Sequence, residues 1–171
     1  MPDLLVHATV GYLVVFRDKY KYLIPSIVLL GCIVPDLIRG PLLLVGQLQS
    51  SLGIQLISSE AAFILKIFHS PIPLALQVWL FCFLFERELR LRVFVSLFLG
   101  VLLHLLLDAG QRAYHISYLW LFPFSFENPI KGLWWADESG WITIISALVA
   151  TTLLCWKYFE SRSSSPPIGR L

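Results

Sequence analysis

Charge is the scarcest commodity in this chain. Lys and Arg number 13 and Asp and Glu 11 among 171 residues, 14% in all, where a soluble domain of similar length carries about a quarter. That shortage excludes a polar shell around the whole molecule. The near-balance of signs, a net charge of +2, excludes the strong positive field on which nucleic-acid binding rests. Cysteine is scarce too. Cys32, Cys82 and Cys155 stand far apart inside apolar runs with no CxxC spacing, so they read as small buried hydrophobes rather than a disulfide framework. Cys32 alone stays a candidate ligand, because it precedes Asp36 by four residues. The start, Met1-Pro2-Asp3, has no basic residue before the first apolar run, which argues against a secretory signal. No internal repeat is visible.

What the chain has instead is apolar surface: 57% hydrophobic residues and a mean hydropathy of +0.76. Five apolar runs stand out, at residues 4–16, 22–34, 71–85, 91–107 and 141–159. Asp3 opens the first as a cap. The second tolerates Pro25 in its first turn and is expected to stop at Pro35-Asp36. Most runs are shorter than the ~20 apolar residues of a standard span, but together they leave nothing to form a polar exterior. They are therefore read as spans extended by polar flanks. The expectation is an all-α, polytopic membrane bundle of about five transmembrane helices plus re-entrant or interfacial helices. One membrane-embedded domain covers residues 1–160, and a Ser/Pro-rich disordered tail covers 161–171. Between the second and third runs, an interfacial helix is expected over 41–57 and a short helix over 59–68, delivering His69. The aromatic stretch 109–140 is expected to lie along the outer interface, where such rings favour the headgroup region.

Basic residues give an orientation. Arg17, Lys19, Lys21, Arg87, Arg90, Arg92, Lys157, Arg162 and Arg170 fall on one side of a five-span topology; Arg39, Lys66, Arg112 and Lys131 fall on the other. The positive-inside rule then places the N-terminus outside and the C-terminus in the cytoplasm. The same topology puts His7, Asp36, His69, His104 and Asp108 on the outer side at similar depth. Ionisable groups in apolar helices are costly and mark function by default.

His104 and Asp108 stand four apart, so an imidazole and a carboxylate share one helix face. Singly, each residue has an ordinary explanation: a buried His–Asp hydrogen bond, a core histidine at His7, a turn residue at Asp36, a cap neighbour at His69. As a set, three His and two Asp suit zinc, manganese or iron. His115, in the aromatic loop, reads as an interfacial residue.

The segments MPDLLVHATVGYLV, LLGCIVPDL, FHSPIPLAL, FLGVLLHLLLDAG and LWLFPFS resemble the YdjM-type family of membrane-bound, metal-dependent hydrolases, over about residues 1–125. The order of the His and Asp residues is also similar to the ligand series of zinc-dependent phospholipase C, by analogy. The resemblance implies a divalent metal, zinc first, on His7, Asp36, His69, His104 and Asp108. It implies hydrolysis, with Asp36 or Asp108 as ligand or general base. Two departures reduce the set: Ile38 stands where the family often has a second Asp, and only Phe68-His69-Ser70 remains of its HR…TH arrangement. A single-metal site or an inactive one are the readings left. Location at the headgroup level makes membrane lipids the expected partner and a lipid or phosphoester the expected substrate. The rivals are a non-catalytic membrane protein whose His and Asp hold helices together, and an ion pathway. The pathway would need polar residues through the full membrane depth, and the inner halves of the spans show almost none.

Overall fold

A computed structural model describes residues 4–16, 21–53, 58–110, 119–133 and 139–163, with the side chains of 38–44, 46, 47, 50, 62, 139 and 161–163 left aside. Six helices make up the described residues, and no strand occurs among them. They are α1 (Leu4–Val15), α2 (Pro25–Leu52), α3 (Ser59–Phe68), α4 (Pro71–Cys82), α5 (Arg87–Gly110) and α6 (Ser139–Ser163). The all-helical class follows from the composition. In an apolar medium, every backbone N–H and C=O must be satisfied within its own segment.

Two of these helices are long and apolar enough to cross a membrane, α5 and the Gly140–Glu160 part of α6, or three if the bent pair α3–α4 counts as one span. Five spans were expected. For α1 the shortfall is one of length: it has 12 residues, about 18 Å at 1.5 Å per residue, against a hydrocarbon core of about 30 Å.

Pro35 does not end a helix, contrary to expectation. α2 runs without a break through Pro35 and Pro41 for 28 residues and closes at Gly53, whose φ of 66° is the left-handed cap conformation that glycine accepts at little cost. The separate interfacial helix expected over 41–57 is thus the second half of α2 as far as Leu52; residues 54–57 lie outside the described residues. A proline inside an apolar helix is tolerated where neighbouring groups take over the freed carbonyl. The short helix over 59–68 is present as α3, capped by Ser58, whose side chain accepts from the Ala61 N–H. A 66° bend separates α3 from α4. Pro71 causes it, because the residue before a proline is forced to extended backbone, and Ser70 there has ψ 156°.

α5 is the central element. It packs most extensively on α2 and also touches α4 and α1, while α6 packs on α1. Two glycines allow the α2–α5 approach. A Cβ on Gly31 would collide with the Leu97 carbonyl, and one on Gly100 with the Val28 carbonyl. Small residues of this kind are what brings helices together in lipid, where burial alone gives no advantage. At one end of the crossing, Arg92 donates to the carbonyls of Lys21 and Tyr22 at 3.0 and 2.7 Å, and Ser96 Oγ accepts from the Ile24 N–H at 2.9 Å. The beginning of α2 is thereby pinned to the beginning of α5. Leu74, Val78, Leu97, Val101 and Leu105 form an apolar cluster between α4 and α5, with Trp120 packed against it. None of the described side chains of α6 is buried, and Trp141, Leu148 and Phe159 stand exposed on it, as suits a lipid-facing helix. The tail expected over 161–171 begins as helix, since α6 continues to Ser163; from 164 onward it falls outside the described residues.

Candidate metal centre

At the end of the bundle opposite Arg92, five polar side chains meet. His7 comes from the second turn of α1. Gly11, one turn further along, lets α1 close on α2: a Cβ there would stand 2.7 Å from Cys32 Sγ. Asp36 lies one turn after Cys32 on α2. His69 sits at the α3–α4 bend, where the chain turns inward, and Ser70 Oγ donates to the Ile67 carbonyl at 2.6 Å to hold that corner. His104 and Asp108 occupy successive turns of α5, one and two turns beyond the Gly100 contact.

His7, His104 and Asp108 are fully buried at 0% exposure, and His69 is at 7%. Asp36 is the least enclosed, with 11% of its side chain exposed. His69 Nε2 lies 3.0 Å from Asp108 Oδ2, and His104 Nε2 lies 3.4 Å from the same oxygen. His7 Nε2 lies 3.4 Å from Asp36 Oδ2 and 3.7 Å from Asp108 Oδ1. His104 Nε2 is 4.0 Å from Asp36 Oδ1 and 3.3 Å from His69 Nε2. The rings of His7 and His104 stack at 4.1 Å between centroids. Donors sharing one cation at about 2.1 Å stand roughly 3.0–3.4 Å from their neighbours in octahedral or tetrahedral shells. The closest pairs are therefore at ligand spacing, and the others stand wider. Two overlapping triplets, His7–Asp36–His104 and His69–His104–Asp108, each have ligand atoms within 4.8 Å of one another and could hold a metal ion.

One hydrogen bond sets the chemistry of the centre. His104 Nδ1 lies 3.0 Å from the Cys32 carbonyl oxygen. A carbonyl only accepts, so Nδ1 carries the proton and the neutral ring keeps a bare lone pair on Nε2, facing the carboxylates. Two acceptors at 3.4 Å repel unless a proton or a cation lies between them. A ligating histidine whose other ring nitrogen donates to a backbone carbonyl is the usual outer-shell arrangement of metal sites.

The donor set passes a second test. Both ring nitrogens of His7 and Asp108 Oδ1 are buried without a hydrogen-bond partner among the described residues. Such groups normally find partners, and a half-satisfied buried polar network is costly. With neutral imidazoles, the two carboxylates carry the charge that a divalent cation cancels.

All five residues singled out in the sequence lie in this one cluster. The Cys32 thiol belongs to neither triplet; Cys32 contributes its carbonyl instead. No residue-type signal marks a backbone acceptor, although the four-residue spacing from Asp36 puts both on one helix face. His115 and Arg112 lie outside the described residues, as do 111–118 and 134–138 of the aromatic loop. The rest of that loop, 119–133, is irregular rather than helical. The Leu133 N–H donates to the Gly110 carbonyl at 2.6 Å, and Phe126 stacks on Phe63 of α3 at 6.2 Å. The loop thus lies at the same end of the bundle as the His/Asp cluster. In comparisons with protein-family models, with curated proteins and with solved structures, nothing matches this chain.

Proposed function

We propose that the chain is a membrane-embedded, metal-dependent hydrolase acting on a lipid or phosphoester at the headgroup level. Its cation is zinc, held by His7, Asp36, His69, His104 and Asp108. The observation that carries the proposal is the orientation of His104, whose Nδ1 donates to the Cys32 carbonyl so that Nε2 is turned toward carboxylate oxygens in a buried set of ligand atoms. Three imidazoles and two carboxylates are a donor set that zinc favours, with manganese and iron the nearest alternatives. The resemblance to the YdjM-type hydrolases supplies the reaction class.

A divalent cation held there would supply Lewis acidity toward an ester or phosphoryl oxygen and toward water. The residues themselves divide the remaining work. Asp108, fully enclosed and held by His69 at 3.0 Å, is the anchoring ligand. Asp36, the one partly exposed member, is the ligand that could leave the cation and accept a proton from an attacking water at a carboxylate oxygen. The stacked His7 and His104 rings exclude water from the inner side. In this reading the five apolar segments all cross the membrane, N-terminus outside and C-terminus in the cytoplasm. The proximity of Lys21 and Arg92 at the end remote from the cluster supports that orientation, since it gathers basic residues on one side.

The second reading keeps the helix-packing role. It is favoured by the His69–Asp108 and His104–Cys32 hydrogen bonds, which join the α3–α4 bend, α5 and α2. The two separate in an assay of purified protein in vesicles for release of lipid cleavage products, with zinc and after chelation. The hydrolase reading expects zinc-dependent release that Asp36→Asn lowers by at least about 100-fold, the scale of a general-base contribution. Equal background release in all samples would leave packing as the only role.

A further inference from the structure

A groove of about 150 Å³ opens between α2, α4 and α5, away from the His/Asp cluster but ending beside it. α2 lines it with Leu30 and Val34, α4 with Val78 and Phe81, and α5 with Val101. We infer that this groove holds one hydrocarbon chain of a phosphate-headed membrane lipid whose head lies against the His/Asp cluster. The inference rests on reading that cluster as a cation site, and it names the class of molecule the site receives.

Three observations carry it. First, the walls select hydrocarbon. A trapped water needs two to four polar partners, and among the described residues the only polar side chain lining the groove is Gln77, whose amide Nε2 donates to the Phe68 carbonyl at 2.8 Å. Second, on all three helices the groove begins within about one turn of a cluster residue. Pro35 lines it, and the next residue is Asp36. Val101 lines it, and His104 follows one turn later. Leu74 lines it near the start of α4, just after the bend that carries His69. From Leu74 to Phe81 the groove follows α4 for about 10 Å, running from the cluster toward the middle of the bundle, as a chain descends from its head group. Third, access is lateral. Leu30, at the lip, is 36% exposed, so a chain can enter from the side without unpacking helices. A cation held by the cluster would offer a phosphoryl oxygen a direct ligand position, whereas the apolar lip alone would take any lipid.

The test uses the full chain in phosphatidylcholine vesicles containing phosphatidic acid with a photoreactive diazirine near the end of one acyl chain. Crosslinked residues are mapped by mass spectrometry, and metal content is measured on the same samples. The expected result is crosslinks concentrated on Leu30, Val34, Val78 and Phe81. Their yield falls at least fivefold after chelation and in His104→Ala. Leu30→Trp and Val34→Trp, which fill the groove, lower the yield similarly while metal stays at the wild-type level. Groove crosslinks that chelation does not change would mean ordinary solvating lipid and overturn the inference while leaving the cation site intact. So would crosslinks confined to the exposed face of α6. Wild-type protein without metal would overturn the inference together with the reading beneath it.

Discussion

The Nδ1 atom of His104 and the carbonyl oxygen of Cys32 stand 3.0 Å apart across the α2–α5 crossing. That contact decides which nitrogen of His104 faces the centre, and it involves the backbone of Cys32 rather than its thiol. Cys32→Ala should therefore leave metal stoichiometry unchanged. Its cost is a small cavity beside Gly11, about 1 kcal/mol of stability. Metal titration of the variant is the check. If metal were lost with the protein still folded, the thiol would be a ligand and the assignment of the carbonyl would be wrong.

Gly100→Ala should damage both stability and metal binding. The added methyl group meets the Val28 carbonyl, which is backbone and cannot rotate away, so α2 must move off α5 and the Cys32–His104 contact lengthens. Overpacking of this kind costs roughly 1–3 kcal/mol. Gly140→Ala is the control, since a Cβ there meets nothing within 4 Å. Thermal unfolding in detergent should show a lower midpoint for Gly100→Ala only. Equal midpoints would mean that the helices do not approach as closely as described.

Cysteine-accessibility labelling at Ser139 and Ser163, the two ends of α6, should report opposite sides of the membrane, with Ser163 cytoplasmic. This follows from the nine-to-four division of basic residues and from the length of α6, about 37 Å at 1.5 Å per residue. Labelling of both from one side would remove the five-span topology.

The polar cluster was legible in the sequence because ionisable residues are conspicuous in apolar helices. His7, Asp36, His69, His104 and Asp108 could be singled out by type and by alternation of sides. α3 was legible as the short helix expected over 59–68 ahead of His69 and the Pro71 break. The extent of α2 was not: Pro35 and Pro41 carry the same local signal whether a helix ends there or continues against a supporting neighbour, and the neighbour is α5, some seventy residues on. The start of α5 at Arg87 was also hidden, because Arg90 and Arg92 interrupt the apolar run without interrupting the helix. Gly31 and Gly100 gave no sign of meeting each other, since a small residue reveals its purpose only once the crossing is known. The number of spans depends on membrane thickness as well as on the chain, and among the described residues only α5 and α6 are individually both long and apolar enough to cross.

The metal content of the purified protein tests the central claim most directly. Elemental analysis after dialysis should find a divalent cation, zinc, bound to the wild-type chain. His104→Ala and Asp108→Ala should each lose it while still inserting as helical protein. No metal in the wild type under any loading condition, with both variants failing to fold, would contradict the account and leave the five residues as helix glue.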